Sequence, residues 1–345
     1  MWDDQWKGKT IGTALDHAAR KYGDKVATEF HNGAITYNQL KKISDLIACG
    51  FLKLGIGKSD KVAIWMAGYS EWALVYFALM RIGAIIVPVN TRYRPEEIAY
   101  VLNKSRASLL VLKEEPNKDY LSLLRELCPG AGEAADALPN EKLPYLRRIV
   151  VSSPRSSAGW LSFDALKALG AEVPEGTLRQ AVEKVRADDI AMIQFTSGTT
   201  AMPKGAMLFQ AAMLRGAQCG CLALKLTESD RFFSPQPFFH VGGSIQVIST
   251  NWPALNSNPS GFVNSNAIVR SATSRRLFSF KTWADEFTTV DMAACFSHDL
   301  VPRCACGPEW SVHYPTTRRM RPRSALATVP RSCRDRYPLF VGLPA

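Results

Sequence analysis

Hydrophobic and polar residues in the first part of the chain alternate between the spacing of a helix and that of a strand. Apolar residues recur every three or four positions over residues 11–22 and 40–51, so the pattern predicts two amphipathic helices. Gly23 and Gly55 follow these segments and are placed to end them. A third helix is predicted over residues 70–80, with the serine at its start as the capping residue.

Short apolar runs between the helices predict strands. Two of them, residues 26–31 and 34–37, flank an Asn-Gly pair that is typical of a β-hairpin. The others lie at residues 62–66, 84–89, 109–112, 148–152 and 189–195, with a further helix at 95–102. Strands that alternate with helices predict an α/β fold with mainly parallel sheets flanked by helices. Residues 128–145 are rich in proline, glycine and small polar residues, which predicts a surface loop.

The most apolar stretch, residues 72–89, has nearly the length of a membrane-spanning helix but contains Arg81. A charge at the centre of a bilayer costs about 2.5–3.5 kcal/mol on insertion scales. Gly83 and Pro88 also interrupt the stretch. We therefore predict a helix that ends near Gly83, a short buried strand after it, and no membrane span.

The composition of the chain changes after about residue 250. The last 95 residues contain 11 arginines and one lysine, and they contribute more than half of the formal net charge of +11. Such a shift can mark a new domain, but it also resembles translation in an unintended reading frame, and we favour the second interpretation. We therefore predict a folded domain over residues 1–250 and an irregular basic tail over residues 251–345, in which only residues 278–292 have the pattern of a short element.

The strongest chemical signal is the segment IQFTSGTTAMPKG at residues 193–205, which includes the end of a predicted strand. Consecutive backbone N–H groups in a glycine-containing turn form a concave anion site, and neighbouring hydroxyls add donors. Lys204 supplies a positive charge, and Gly205 is expected to allow a second tight turn before a helix over residues 210–224. The segment predicts a triphosphate-binding loop made of Thr196, Ser197, Gly198, Thr199, Thr200, Lys204 and Gly205. The Gly-Lys-Ser/Thr order of P-loop NTPases is not present in it.

This loop closely resembles the signature loop of the adenylate-forming superfamily, which includes acyl-CoA synthetases, luciferases and peptide-synthetase adenylation domains. Nine of the ten positions from Thr196 onward agree, and the exception is Ala201, where the family has glycine. Alanine in a left-handed conformation there would cost about 1–2 kcal/mol. Residues 35–40 and 79–102 are similar to earlier parts of the family. The resemblance covers roughly residues 10–250 and implies part of the family's N-terminal α/β domain.

A second segment with a family counterpart, FFSPQPFFHVGG, follows about 30 residues after the loop. In the family a similar aromatic-His-x-x-Gly segment lines the acyl pocket, which implies pocket roles for Phe239, His240, Gly242 and Gly243. Phe238 is also expected to wall the acyl group. The alternative interpretation of the histidine is an ordinary core residue. Because a carboxylate substrate is already ionised at neutral pH, we expect His240 to gate or orient it rather than act as a general base.

The resemblance implies a two-step ligation. A small-molecule carboxylate and Mg-ATP form an acyl-adenylate, and the thiol of coenzyme A then displaces AMP, so ATP, Mg²⁺ and coenzyme A are the implied cofactors. Residues 244–345 contain neither the Tyr-Gly-x-Thr-Glu nor the Thr-Gly-Asp segment by which the family binds metal and ribose, and no lid-domain lysine is recognisable. We therefore expect a truncated acyl-CoA synthetase-like ligase without identified catalytic residues. The alternative is a non-catalytic nucleotide- or acyl-binding fragment.

Other functions have weaker signals in the sequence. The eight cysteines follow no disulfide framework and the N-terminus has no secretory pattern, so reduced thiols and a cytoplasmic location are expected. No metal site is predicted, because no common zinc-ligand spacing is present among Cys295, His298, Cys304, Cys306 and His313. The RRMRPR run at residues 318–323 fits a solvated basic tail better than a nucleic-acid site, so no nucleic-acid partner is expected.

Overall fold

The structure is a computed structural model, and it describes ten segments of the chain. They are residues 7–30, 33–115, 118–129, 138–153, 160–196, 202–223, 231–234, 236–247, 261–264 and 277–278. All ten lie within the first structural unit, residues 1–300. Helices and strands alternate along most of this part of the chain, as the hydrophobic pattern predicts.

Eight α-helices and twelve strands are formed by the described residues. The helices are α1 (Ile11–Tyr22), α2 (Tyr37–Lys53), α3 (Ser70–Ile82), α4 (Pro95–Ser105), α5 (Tyr120–Leu127), α6 (Phe163–Ala171), α7 (Thr177–Glu183) and α8 (Gln210–Ala223). The strands are β1 (Val26–Phe30), β2 (Gly33–Thr36), β3 (Lys61–Trp65), β4 (Ile85–Pro88), β5 (Leu109–Lys113), β6 (Arg148–Ser152), β7 (Leu161–Ser162), β8 (Ile190–Phe195), β9 (Gly205–Phe209), β10 (Arg231–Ser234), β11 (Gly261–Asn264) and β12 (Leu277–Phe278). A π-helical turn spans Gly242–Val247.

The larger sheet has seven strands in the order β7-β6-β5-β3-β4-β8-β9. All neighbouring strands in it are parallel except β8 and β9, which form an antiparallel pair. Both faces are covered, since Val62 and Ile64 pack into one hydrophobic cluster while Ala63 and Trp65 pack into another. The carboxyl ends of the parallel strands therefore lie along one edge of this sheet, where open α/β sheets bind ligands.

The smaller sheet has five strands in the order β12-β10-β11-β1-β2. β1 and β2 pair antiparallel, which confirms the predicted hairpin. The remaining neighbours are parallel, and β11 joins β1 to β10. β11 and β12 come from beyond residue 250, in a region where the hydrophobic pattern is weak. The predicted fold class, a mixed α/β fold with mainly parallel strands, is confirmed.

Local capping explains where several helices begin and end. Thr10 and Thr36 cap α1 and α2 through hydrogen bonds from backbone amides three residues further on. Gly83 ends α3 in a left-handed conformation, as predicted, and the described residues contain no helix long and apolar enough to cross a membrane. The predicted capping role of Ser70 is wrong, because the helix already begins at that residue and its N-cap residue is Tyr69, whose side chain makes no capping hydrogen bond.

Some parts of the chain differ from the sequence prediction. β9 has no counterpart in the prediction, because four of its five residues are exposed and give no alternating pattern. The predicted loop at residues 128–145 contains no helix or strand in its described parts, but it is not purely a surface segment. Cys128 and Leu143 are fully buried within it and pack into the second hydrophobic cluster.

A partly buried ion pair joins α3 to β5 in the larger sheet. Lys113 Nζ lies 2.6 Å from Glu71 Oε1, and both side chains are less than a fifth exposed. Burial acts to raise the pKa of Glu71, but the hydrogen bond and charge of Lys113 outweigh it and hold that pKa below its ordinary value of 4.5. The pair therefore stabilises the fold above about pH 4.5. This contribution is lost as the pH falls through the lower pKa of the folded state.

Replacement of Lys113 by methionine is expected to reverse this pH dependence. Burial would then raise the pKa of Glu71, so the variant should be about 2 kcal/mol less stable than the original protein at neutral pH. The difference should shrink as the pH is lowered from about 7 to about 5. Urea unfolding at both pH values measures it, with Lys42→Met on an exposed face of α2 as the control. A difference that stays constant between the two pH values would contradict the assignment.

Candidate functional site

The hairpin of β8 and β9 holds the predicted phosphate loop. β8 runs parallel to β4, with Ile86 opposite Met192, and β9 returns antiparallel to it from Gly205, which lies opposite Phe195. The connection between the two strands, residues 196–204, therefore leaves the sheet at the carboxyl ends of its parallel strands. This position at the ligand-binding edge agrees with the predicted role of the loop.

Two hydrogen bonds close the base of this loop. The backbone N–H of Thr196 donates to the carbonyl of Lys204 at 2.9 Å, and the backbone N–H of Lys204 donates to Thr196 Oγ1 at 3.2 Å. Both residues are exposed. No carboxylate of the described residues lies within ion-pair distance of Lys204. Its ammonium group is thus available to an anionic ligand.

The predicted tight turn at Gly205 is wrong, since this residue is the first of strand β9. Its lack of a side chain serves a different purpose. A Cβ atom at Gly205 would lie 2.8 Å from Ile193 Cγ2, too close for any real contact without movement. Glycine here lets β9 approach β8 closely at the base of the loop.

The remaining predicted phosphate-binding residues lie outside the described part of the chain. They are Ser197, Gly198, Thr199 and Thr200, together with Ala201, which departs from the family pattern. Their roles stay predictions. The structure thus places the two ends of the loop, Thr196 and Lys204, at the hydrogen-bonded end of the hairpin of β8 and β9.

The predicted acyl-pocket segment packs directly against the strand that leads into the loop. Gln194 Nε2 on β8 donates a hydrogen bond to the carbonyl of Phe239 at 3.0 Å. Ser244 Oγ, which is fully buried, lies 3.8 Å from Met192 Sδ on the same strand. These two contacts bring the loop and the pocket segment together, although about 40 residues separate them in sequence.

A tight backbone turn presents His240. Its backbone N–H donates to the carbonyl of Pro237 at 3.0 Å, and its own carbonyl accepts from Gly243 at 2.9 Å and from Ser244 at 2.8 Å. A Cβ atom at Gly243 would lie under 3.0 Å from the Pro237 carbonyl. Gly243 is buried, as is Gly242. Because Gly243 has no side chain, the backbone of Pro237 can pack directly against it. The exposed His240 is not a core residue.

The two phenylalanines before this histidine have different surroundings. Phe238 is only 1% exposed, and its ring lies 5.3 Å from that of Trp72 and 6.2 Å from that of Phe30, centre to centre. The expectation that Phe238 walls an acyl pocket is therefore wrong, because it fills the core between the smaller sheet and α3. Phe239 is buried at the site itself, where its carbonyl binds Gln194.

Gln194 is a site residue that sequence reasoning missed. It is the polar residue in the otherwise apolar strand IAMIQF, and this was the one signal that could have singled it out. Its Oε1 is buried, and within the described part of the chain it has no hydrogen-bond partner. A buried amide that is only half satisfied in this way is costly, which makes Gln194 a candidate site residue.

Metal binding and thiol chemistry would depend on the acidic, histidine and cysteine side chains of the described residues. No group of three His, Cys, Asp or Glu side chains among the described residues could hold a metal ion. Four described cysteines, Cys49, Cys128, Cys219 and Cys221, form no disulfide bond. Burial raises the pKa of Cys221 on α8 to about 12, so this thiol stays protonated.

Comparison with known proteins agrees with this geometry. A family model described as AMP-binding enzyme matches residues 15–270. YngI of Bacillus subtilis (strain 168), provisionally named an acyl-CoA synthetase, is 33% identical over 240 residues, which cover 68% of this chain and 44% of YngI. The mitochondrial medium-chain acyl-CoA ligase ACSF2 of Bos taurus is 33% identical over 246 residues, or 69% of this chain and 40% of the relative. The chain thus spans less than half the length of these curated relatives.

Solved structures show the same fold. The anthranilate CoA ligase AuaEII in complex with anthranoyl-AMP superposes with a TM-score of 0.60 at 22% identity, over 74% of this chain and 44% of that one. The N-terminal domain of FACL13 from Mycobacterium tuberculosis superposes with a TM-score of 0.57 at 22% identity, over 76% of this chain and 58% of that one. With the family model matched over most of its length, this chain belongs to the AMP-binding enzyme family, as the resemblance of its loop predicted.

Proposed function

We propose that this chain forms the phosphate-binding part of an ATP-dependent acid–thiol ligase of the acyl-CoA synthetase kind. The observation that carries the proposal is the hairpin of β8 and β9, which holds Thr196 and Lys204 at the ligand edge of the sheet beside the Phe239–Gly243 segment. The family and the names of the curated relatives support it. The reaction would join a small-molecule carboxylate to ATP as an acyl-adenylate and then transfer the acyl group to coenzyme A.

Each described site residue has a role in this proposal that its position supports. Lys204 places an ammonium group beside the terminal phosphates of ATP, and the amides and hydroxyls of residues 196–200 donate to their oxygens. His240 projects from the turn beside the loop and would orient or gate the acyl group. Gln194 would hold this turn against β8. Gly205, Gly242 and Gly243 would let the backbone pack closely around these groups.

Mg²⁺ and coenzyme A enter the proposal from the chemistry of the family. Magnesium prefers oxygen ligands, and the described residues gather no carboxylate cluster that fits it. Its chemistry, when bound, is to neutralise charge on the phosphates. The proposal also divides the chain into an AMP-binding part over residues 1–250 and an atypical basic tail over residues 251–345. A cytoplasmic location is a further part of the proposal.

Replacement of Lys204 by alanine is expected to weaken ATP binding about tenfold, which corresponds to roughly 1.4 kcal/mol. The loss follows from removal of the ammonium group nearest to the terminal phosphates. Titration of the full chain with ATP in a calorimeter measures the affinity. Lys42→Ala, on an exposed face of α2, removes the same charge elsewhere and should leave the affinity unchanged. An equal affinity for ATP in the Lys204 variant and the original protein would overturn the assignment of the loop.

The alternative function is nucleotide or acyl binding without catalysis. It rests on the finding that residues 244–345 contain neither the Tyr-Gly-x-Thr-Glu nor the Thr-Gly-Asp segment of the family. Carboxylate-dependent exchange of pyrophosphate into ATP separates the two functions, because only a chain that forms acyl-adenylates supports exchange. Exchange that Lys204→Ala abolishes would support the ligase, whereas ATP binding without exchange for any of a panel of carboxylates would support the alternative.

A further inference from the structure

A basic cleft lies at the edge of the larger sheet opposite the phosphate loop. Its volume is about 250 Å³, and it lies at the amino ends of β3, β5 and β6. Because these strands run parallel to β8, their amino ends and the loop after β8 are on opposite edges of the sheet. The cleft is therefore separate from the site proposed for ATP.

Strand register brings four cationic side chains to this cleft. Lys61 is the first residue of β3, and Arg148 is the first residue of β6 and pairs with Leu109. The backbone of Ser108 joins these strands, since its N–H donates to the carbonyl of Lys61 at 2.9 Å and its carbonyl accepts from Arg147 at 2.8 Å. Arg106 enters from the end of α4.

The positive charges of the cleft are not neutralised within the described part of the chain. No ion pair within this part of the chain includes Lys61, Arg106, Arg147 or Arg148. In most ion pairs elsewhere in the fold, by contrast, a lysine or arginine nitrogen lies within 3.5 Å of a carboxylate oxygen. The single carboxylate that lines the cleft, Asp60, accepts a hydrogen bond from the backbone N–H of Gly57 at 2.8 Å. Four cations against one carboxylate leave the cleft strongly positive.

The position of Arg106 is a second unusual feature. Its backbone is left-handed, with φ of 54° and ψ of 45°, a conformation that favours glycine at the end of a helix. Its guanidinium lies 5.4 Å from the centre of the Tyr145 ring, which is 40% exposed. This cation–π contact holds the guanidinium near the Tyr145 ring, and both residues line the cleft. Leu54, Ile56 and Leu109 supply an apolar floor beneath it.

We propose that this cleft is a second anion site, which binds a small ligand carrying a multiply charged phosphate group. Arginine forks match phosphate oxygens in pairs, and three arginines with one lysine can surround such a group. The volume of the cleft admits pyrophosphate or a mononucleotide but not a large polyanion. The site does not depend on the proposed ligase activity, because it uses none of the residues of the loop.

Protection of arginines from phenylglyoxal tests the site directly. The full chain is modified at low ionic strength with and without inorganic pyrophosphate, and the modified peptides are quantified by mass spectrometry. Pyrophosphate should slow modification of Arg106, Arg147 and Arg148 about fivefold or more, as expected for arginines engaged in charge-assisted hydrogen bonds. Arg179, which is 81% exposed on α7, should react at the same rate with and without pyrophosphate. The same protection should be seen in Lys204→Ala, which removes the charge of the loop.

Two variants complete the test. Arg147→Ala together with Arg148→Ala should lower pyrophosphate affinity at this site about tenfold, while Arg179→Ala leaves it unchanged. All of these arginines are exposed, so the variants should keep the near-UV circular dichroism of the original protein. Tighter protection by AMP than by pyrophosphate would assign the site to a nucleotide phosphate, and the reverse to inorganic pyrophosphate. Equal reactivity of all arginines with and without either ligand, or protection that disappears in Lys204→Ala, would overturn the proposal.

Discussion

Replacement of Gly170 by alanine is expected to lower the free energy of unfolding by about 3 kcal/mol. In α6, a Cβ atom at this position would lie under 3.0 Å from two backbone atoms of α2, the carbonyl oxygen of Leu46, which is the closer of the two, and the nitrogen of Gly50. These are backbone atoms, so no side-chain rotation can relieve the overlap and the two helices must separate. Urea unfolding of the full chain, followed by circular dichroism, measures the change.

Gly50 gives the reciprocal prediction from the other helix. A Cβ atom there would lie under 3.0 Å from the Leu166 carbonyl of α6 and 2.9 Å from Leu166 Cδ1. Gly50→Ala should therefore destabilise the protein by a similar amount. The two replacements act on one helix crossing, so their combined effect should be smaller than the sum of the separate effects.

The matched control is Gly220→Ala in α8, where no atom of the described residues lies within 4 Å of an added Cβ atom. Alanine is a better helix former than glycine, so this variant should gain up to about 1 kcal/mol. Replacement of glycine by alanine is thus expected to lower the free energy of unfolding in α6 and to raise it in α8. Destabilisation by Gly220→Ala equal to that by Gly170→Ala would show that loss of glycine itself, rather than the helix crossing, is responsible.

The sequence was sufficient where the relevant residues are close together along the chain. Thr196 and Lys204 belong to one contiguous motif, and the ends of α1 and α3 are marked by Gly23 and Gly83. Such features depend on local geometry, and a turn or a cap needs only its neighbours. For this reason the alternation of helices and strands, the fold class and the position of the loop could all be predicted.

Contacts between distant segments could not be predicted. The hydrogen bond from Gln194 to Phe239 joins residues 45 positions apart, and it forms only when the segment that contains Phe239 packs on β8. Phe238 and Phe239 are equivalent in sequence, yet one fills the core and the other lies at the site, since the turn directs successive side chains differently. Gly205 resembles a turn residue, but its place in β9 depends on pairing with β8.

Replacement of Arg81 by methionine should lower the free energy of unfolding by about 3 kcal/mol. The guanidinium is 6% exposed, and it pairs with Asp45 and, at 2.9 Å, with Asp16. It also donates to the Gly12 carbonyl at 3.2 Å. Methionine fills similar space but leaves two carboxylates facing each other, with only Lys41 to neutralise them. Urea unfolding at neutral pH measures the loss, and Arg179→Met should change stability by less than about 0.5 kcal/mol.

The charge of the carboxylates, rather than the volume of the arginine, is expected to cause this loss. Asp45→Asn in the Arg81→Met background should therefore recover part of the stability, although Asp45→Asn alone should be destabilising. Additive losses from the two changes would contradict the ion-pair explanation and indicate that packing dominates. This network also accounts for the charge in the membrane-like stretch at residues 72–89. At roughly 1.5 Å per residue, the 13-residue α3 is far shorter than a bilayer is thick, and its arginine is neutralised by α1 and α2 in the protein core.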